Sequence, residues 1–156
     1  MNVEIVPATI EHAALLAPNL RDSDVRELNA SSGHAPLEAL IKSVRVSDGD
    51  MAWTALVDGV PAVMWGVAPQ ADDATTGSVW LLASDLIYQI KKTFLRECPK
   101  YITLMHMRYK TLFNYVDIRH TASLIWLDQL GFFVADFQPS YGAGKIPFLL
   151  FMSQRN

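Results

Sequence analysis

Hydrophobic positions recur with two different periods along this chain, and the changes of period mark its elements. Over residues 112–118, Leu112, Asn114, Val116 and Ile118 alternate with Phe113, Tyr115 and Asp117, which predicts a strand. Arg119, His120 and Thr121 break the alternation. Leu124, Leu127 and Leu130 then return at helical spacing, with Asp128 and Gln129 left for solvent. Gly131 stands where such a helix needs a left-handed residue to stop. Residues 132–137 resume as a strand.

The same reading covers the rest of the chain. Residues 2–6 alternate as an opening strand closed by Pro7, and Thr9 caps a short helix through Leu16. Asp22, Ser23 and Asp24 offer caps for a second helix through Leu28, and Asp24 with Glu27 has the spacing of a capping pair. Pro36 fits the first position of a third helix, whose apolar stripe is Leu37, Leu40, Ile41 and Val44. Residues 51–57 and 60–67 are strands joined by Asp58-Gly59, a turn pair that tolerates positive φ. Residues 69–76 form a polar loop. Residues 79–83 are nearly all apolar, which predicts a central strand. Ser84 or Asp85 caps the next helix, with Ile87, Ile90, Phe94 and Cys98 on one face; Pro99 interrupts it and begins another, through about Lys110. Residues 146–152 form a last strand, placed at the sheet edge by Pro147.

Strands and helices mixed in this order, with an early hairpin and later crossover helices, predict an α/β sandwich with a mixed sheet. The length of 156 residues suits one domain spanning 1–156. Apolar residues make up 51% and charged residues 19%, enough to build a core and to argue against disorder. The net charge of −3 gives no general basic face for nucleic acid. The one basic cluster, Lys91, Lys92 and Arg96, reads as a solvated helix face. A single cysteine, Cys98, excludes an intrachain disulfide and is compatible with a reducing cytoplasm. The four histidines lack metal-ligand spacing, so no metal site is expected. No apolar run is long enough to span a bilayer, and the N-terminus lacks the pattern of a signal peptide.

The strand, the helix ending in Leu130-Gly131-Phe132 and the second strand resemble the C-terminal half of the GNAT fold of N-acetyltransferases. Over residues 80–153 the chain resembles the GNAT-like internal virion protein A family of short-tailed phages more closely. The resemblance is carried by the strand Leu112-x-Asn114-Tyr115-Val116, the Thr121-Ala122 helix start and the late aromatic strand from Phe148 to Met152. The segment Leu20-Arg21-x-x-Asp24-x-x-Glu27 resembles the early helical region of such phage proteins. The resemblance implies a GNAT-like (acyl-CoA N-acyltransferase-like) sandwich with a mixed, mostly antiparallel central sheet. It also implies a place in the host bacterial cytoplasm or in association with the virion.

An active GNAT seats the acetyl-CoA pyrophosphate on backbone N–H groups of a glycine-containing turn after the fourth strand. The matching positions here are Leu82, Ala83, Ser84 and Asp85. They hold no glycine, and none occurs between Gly77 and Gly131. Asp85 brings a negative charge to a place meant for a polyanion. In a second GNAT signature, aligned on Gly131 and Phe132, the asparagine falls on His120, the alanine on Ser123, the leucine on Trp126 and the proton-donating tyrosine on Leu127. A leucine cannot donate a proton.

Two candidate catalytic residues remain. His120 serves as a general acid or base, or it caps a helix. Tyr115 points into a cleft, or its ring packs on the sheet. The run Gly142-Ala143-Gly144-Lys145 lacks the spacing of a phosphate-binding loop and reads as a hairpin connection. Trp53, Trp65, Trp80 and Trp126 sit in apolar runs and read as core.

Two functions follow. One is a phage GNAT-fold protein without conventional acetyl transfer and without a cofactor, touching a phage structural protein or a host protein. The other is an acetyl-CoA-dependent N-acetyltransferase acting on a small amine or a protein. A cleft between splayed central strands favours the second if open, and the first if filled by aromatic side chains.

Overall fold

The computed structural model describes residues 1–155. Its strands are β1 Val3–Pro7, β2 Ala52–Val57, β3 Val60–Gln70, β4 Asp73–Ala83, β5 Thr111–Asp117, β6 Phe133–Tyr141 and β7 Ile146–Gln154. Its α-helices are α1 Ile10–Leu16, α2 Asp22–Ser31, α3 Pro36–Val46, α4 Lys91–His106 and α5 Thr121–Gln129. The strands form one sheet in the order β1-β2-β3-β4-β5-β7-β6. Only β4 and β5 run parallel; every other neighbouring pair is antiparallel. All seven strand segments read from the sequence are present, and the sheet is mixed and mostly antiparallel as expected.

Alternation explains the layers. In β3, Val63, Trp65 and Val67 face a core shared with Phe94, Cys98 and Tyr101 of α4 and Leu127 of α5. Met64, one residue out of phase, meets Ala13 and Leu16 of α1 and Leu40 of α3 on the opposite face. β4 does the same, with Val79 and Ala83 on the first face and Leu82 on the second. A strand covered on both faces reads as a continuous apolar run, and β4 is the fourth of seven. The four tryptophans join these cores. Trp65 lies edge-on to Phe94 and Tyr101, and Phe94 stacks on Trp126. Burial of Cys98 pushes its thiol up to about 12. No helix among the described residues is long and apolar enough to cross a membrane.

Turn chemistry behaves as read. Asp58 and Gly59 have φ of 49° and 82°, and Thr9 caps α1 by accepting the His12 N–H. Gly131 follows α5 with φ 84°.

Several boundaries differ. Residues 69–76 are not a polar loop: β3 runs to Gln70, β4 begins at Asp73, and the rungs Pro69↔Gly77 and Ala68↔Ser78 extend the ladder. Pro99 does not divide two helices, because the buried stripe Phe94, Cys98, Tyr101 and Met105 continues through it within α4; packing along this stripe outweighs the lost backbone hydrogen bond. The exposed Leu37 lies outside the buried face of α3, which is Ala39 and Leu40. The segment after β4 is a 3-10 turn, Asp85–Gln89, before α4 begins at Lys91. Pro147 is not at the edge: β7 lies between β5 and β6. The β6–β7 register shifts between Gln138 and Tyr141, opposite Pro147, so the missing N–H falls at an irregularity.

Candidate functional site

The parallel pair at the sheet centre is short. Only Thr76↔Thr111, Gly77↔Leu112 and Ser78↔Phe113 pair. Beyond them β4 continues along β3 alone and β5 along β7 alone. The strands therefore part, and the polar backbone groups facing the gap need partners. The acetyl-CoA-equivalent positions Leu82, Ala83 and Ser84 lie at the end of β4; all three are buried, whereas Asp85 is exposed.

Helix α2 and the two residues before it supply those partners. Leu20 forms an isolated bridge with Ser84, and the Arg21 N–H donates to the Ala83 carbonyl at 2.9 Å. Asp24 follows Arg21 by three residues, so both share one helix face. Asp24 Oδ2 accepts the Ala83 N–H at 3.0 Å and Arg21 Nε at 2.9 Å; its Oδ1 accepts Arg21 Nη2 at 3.1 Å and His120 Nε2 at 2.6 Å. One turn on, Glu27 Oε2 accepts the Asp117 N–H at 3.1 Å. A single helix face thus bonds the end of β4 through Asp24 and the end of β5 through Glu27. Asp24 is not a helix cap: that position before α2 is held by Arg21, which makes no side-chain cap bond. Its carboxylate is committed to long-range partners.

The other end of α2 is held too. The 142–145 run is the hairpin loop between β6 and β7, and its Ala143 and Gly144 N–H groups donate to the Ser31 and Ala30 carbonyls, both at 2.8 Å. Gly142 has φ 69°, and a β-carbon there would lie 2.7 Å from the Ala30 oxygen. These N–H groups are engaged with protein, in keeping with the hairpin reading.

Charges at the site are matched locally. Burial alone would raise the Asp24 carboxyl, but hydrogen bonds from His120 and Arg21 hold it below its ordinary range. Burial likewise opposes ionisation of Asp117, but its bonds with Arg119, 2.7 Å at the shortest, keep it low. Glu27 is different. Burial pushes it up to about 7, the His120 ring and the Asp117 N–H offset only part of that, and the Asp24 and Asp117 charges add to it.

His120, 1% exposed, has both ring nitrogens engaged: Nε2 donates to Asp24 while Nδ1 accepts the Ser123 N–H at 3.3 Å. It caps α5 and leaves no lone pair facing solvent. Ser123 Oγ also lies 3.3 Å from Nε2, the nitrogen already given to Asp24, so the three do not form a relay with acid and nucleophile on opposite ring nitrogens. Tyr115 stacks on Tyr141 with centroids 4.5 Å apart and also lines a polar cleft beside Glu27. Leu127 is fully buried. Ser84 spends its hydroxyl on the Leu86 N–H at 3.2 Å, occupying a donor at the start of the turn. On the α4/α5 side lies an apolar groove lined by Leu81, Ile87, Tyr88, Phe94 and Trp126. No group of three or more His, Cys, Asp or Glu side chains among the described residues could hold a metal.

Sequence reading missed the roles of Arg21, Asp24 and Glu27. The signal was their spacing of three, which places three charges on one helix face where an apolar stripe is the norm.

Solved structures that this chain resembles include acetyltransferases. A GNAT-family acetyltransferase from Bacillus anthracis matches with TM-score 0.70 at 8% identity, over 99% of this chain and 95% of that one. Ard1 from Thermoplasma volcanium matches with TM-score 0.71 at 12% identity, over 100% and 99%. An aminoglycoside acetyltransferase in complex with coenzyme A matches with TM-score 0.70 at 12% identity, over 99% and 95%. No family model matches the sequence, and no curated protein matches it. The fold is the GNAT fold; identities this low carry the architecture and not the activity.

Proposed function

We propose that this chain is a phage-encoded GNAT-fold protein that works by protein contact, in virion morphogenesis or on a host protein, without conventional acetyl transfer. The observation that carries this reading is the closure of the parted strands by α2. The N–H groups of Ala83 and Asp117 are bonded to Asp24 and Glu27, so a ligand entering there would have to displace two carboxylates. Acetyl-CoA fits the residues poorly in other respects. The turn that would face its phosphates has no glycine, its Leu86 N–H is taken by Ser84, and Asp85 stands beside it. No tyrosine replaces Leu127 as proton donor, and His120 has no free nitrogen. The sequence resemblance over residues 80–153 supports the phage assignment.

The second reading, an acetyl-CoA-dependent N-acetyltransferase, is favoured by the fold and by the apolar groove beside α4 and α5. A thermal-shift titration separates the two. At 1 mM acetyl-CoA a micromolar dissociation constant would stabilise the native state by about 4.1 kcal/mol, or roughly 8–16 °C for a chain of this size. The contact reading expects a shift of about 1–2 °C or less; a rise of ten degrees would overturn it.

A further inference from the structure

On the opposite side of the parted strands from the apolar groove, α2, β4, β5 and β6 enclose a polar cleft. Its empty space, the open mouth included, is ≈ 840 Å³. Glu27, Ser78, Asn114, Tyr115 and Tyr141 line it, and no Lys, Arg or His does. Glu27 accepts one hydrogen bond, from the Asp117 N–H through Oε2. Oε1 has no partner among the described residues, yet it is not among their fully enclosed unbonded atoms, of which Thr54 Oγ1 is the one example. That oxygen therefore opens on the cleft. The stacked rings of Tyr115 and Tyr141 form one wall.

We propose that this cleft receives a cationic side chain, lysine or arginine, of a partner polypeptide. The proposal rests on the contact reading and names the chemistry of the contact. A partly buried carboxylate with one oxygen free and no cation beside it lacks a counter-charge. An ammonium or guanidinium at Oε1 supplies the charge and donates the missing hydrogen bond. Around Glu27, Asp24 on α2 and Asp117 on β5 are negative and already paired with Arg21 and Arg119. His120 at the start of α5 is committed to Asp24, and Tyr115 and Tyr141 contribute phenols. Arg26, exposed on α2, acts on Asp117 through space but does not line the cleft.

Binding also depends on Glu27 being ionised. With its carboxyl at about 7, the ionised fraction rises from about 3% at pH 5.5 to about 90% at pH 8, so the affinity for a probe cationic at both values should rise by roughly 30-fold.

The test is an NMR titration with n-butylammonium and, separately, n-butylguanidinium chloride at both pH values. Shifts confined to Asn114, Tyr115, Tyr141 and the Glu27 carboxyl, with the rise in affinity at pH 8, are expected for at least one probe; the tighter one identifies the side chain. Glu27→Gln keeps an oxygen for the Asp117 N–H and should lose at least tenfold in affinity with the β5 amide spectrum unchanged. Absence of binding by either probe, pH-independent binding, or equal binding by Glu27→Gln overturns the proposal and leaves the contact reading intact. Mass spectrometry after adding acetyl-CoA serves that reading separately: acetylated butylamine would refute it, whereas unmodified probe agrees with it.

Discussion

Glu27→Gln should change how stability depends on pH. The Glu27 carboxyl moves from an ordinary 4.5 to about 7 on folding, so between those values the native state holds a proton that the unfolded chain has released. Its contribution is full below about pH 4.5 and is lost as pH rises through 7. The shift of about 2.5 units, at about 1.36 kcal/mol each, sets a ceiling of roughly 3 kcal/mol. The glutamine of the variant has no such ionisation, yet its amide oxygen can still accept the Asp117 N–H. The stability of the variant relative to the native chain should therefore rise by roughly 2–3 kcal/mol from pH 5 to pH 8. Urea unfolding followed by tryptophan fluorescence at the two pH values measures that difference. Comparing the two proteins removes the opposite dependence of Asp24 and Asp117, whose carboxyls are lowered. Parallel stability curves for the two would show that Glu27 is well solvated or already neutralised, and would refute the reasoning.

Asp24→Asn should cost about 3–5 kcal/mol, because it leaves the buried Arg21 guanidinium without its counter-charge; a loss under about 1 kcal/mol in chemical denaturation would show that the pair is not what holds α2. Gly131→Val should destabilise by roughly 1–2 kcal/mol. A β-carbon there meets nothing within 4 Å while φ is 84°, so an unchanged melting temperature would mean that the helix stop carries no strain. Ser84→Ala should lose about 1 kcal/mol with the cap on the Leu86 N–H, measured the same way; no loss would mean that water satisfies the donor equally well.

The strands were legible because alternation is a local property, and so were the Asp58-Gly59 hairpin and the Gly131 stop, which depend on φ at single residues. The two prolines misled for one reason. Pro99 and Pro147 forbid a backbone hydrogen bond, but tertiary packing decides whether that bond is missed, and a continuous buried stripe in one case and a register shift in the other accommodate the loss. The candidate site was legible only in part. Of the two readings open for His120, the structure shows the capping one: it caps α5. Asp24 and Glu27 have the spacing of a local capping pair, and nothing in their sequence neighbourhood reveals that their partners are Ala83 and Asp117. Those partners exist because β4 and β5 part after three rungs, a long-range feature with no local signature.

The central claim is that α2 and the glycine-free turn leave no seat for acetyl-CoA. Titration calorimetry of the purified chain with acetyl-CoA tests it most directly. The account predicts no dissociation constant tighter than about 1 mM, equivalent to about 4 kcal/mol of binding. A micromolar constant, with the pyrophosphate located on the backbone of residues 83–87, would contradict it.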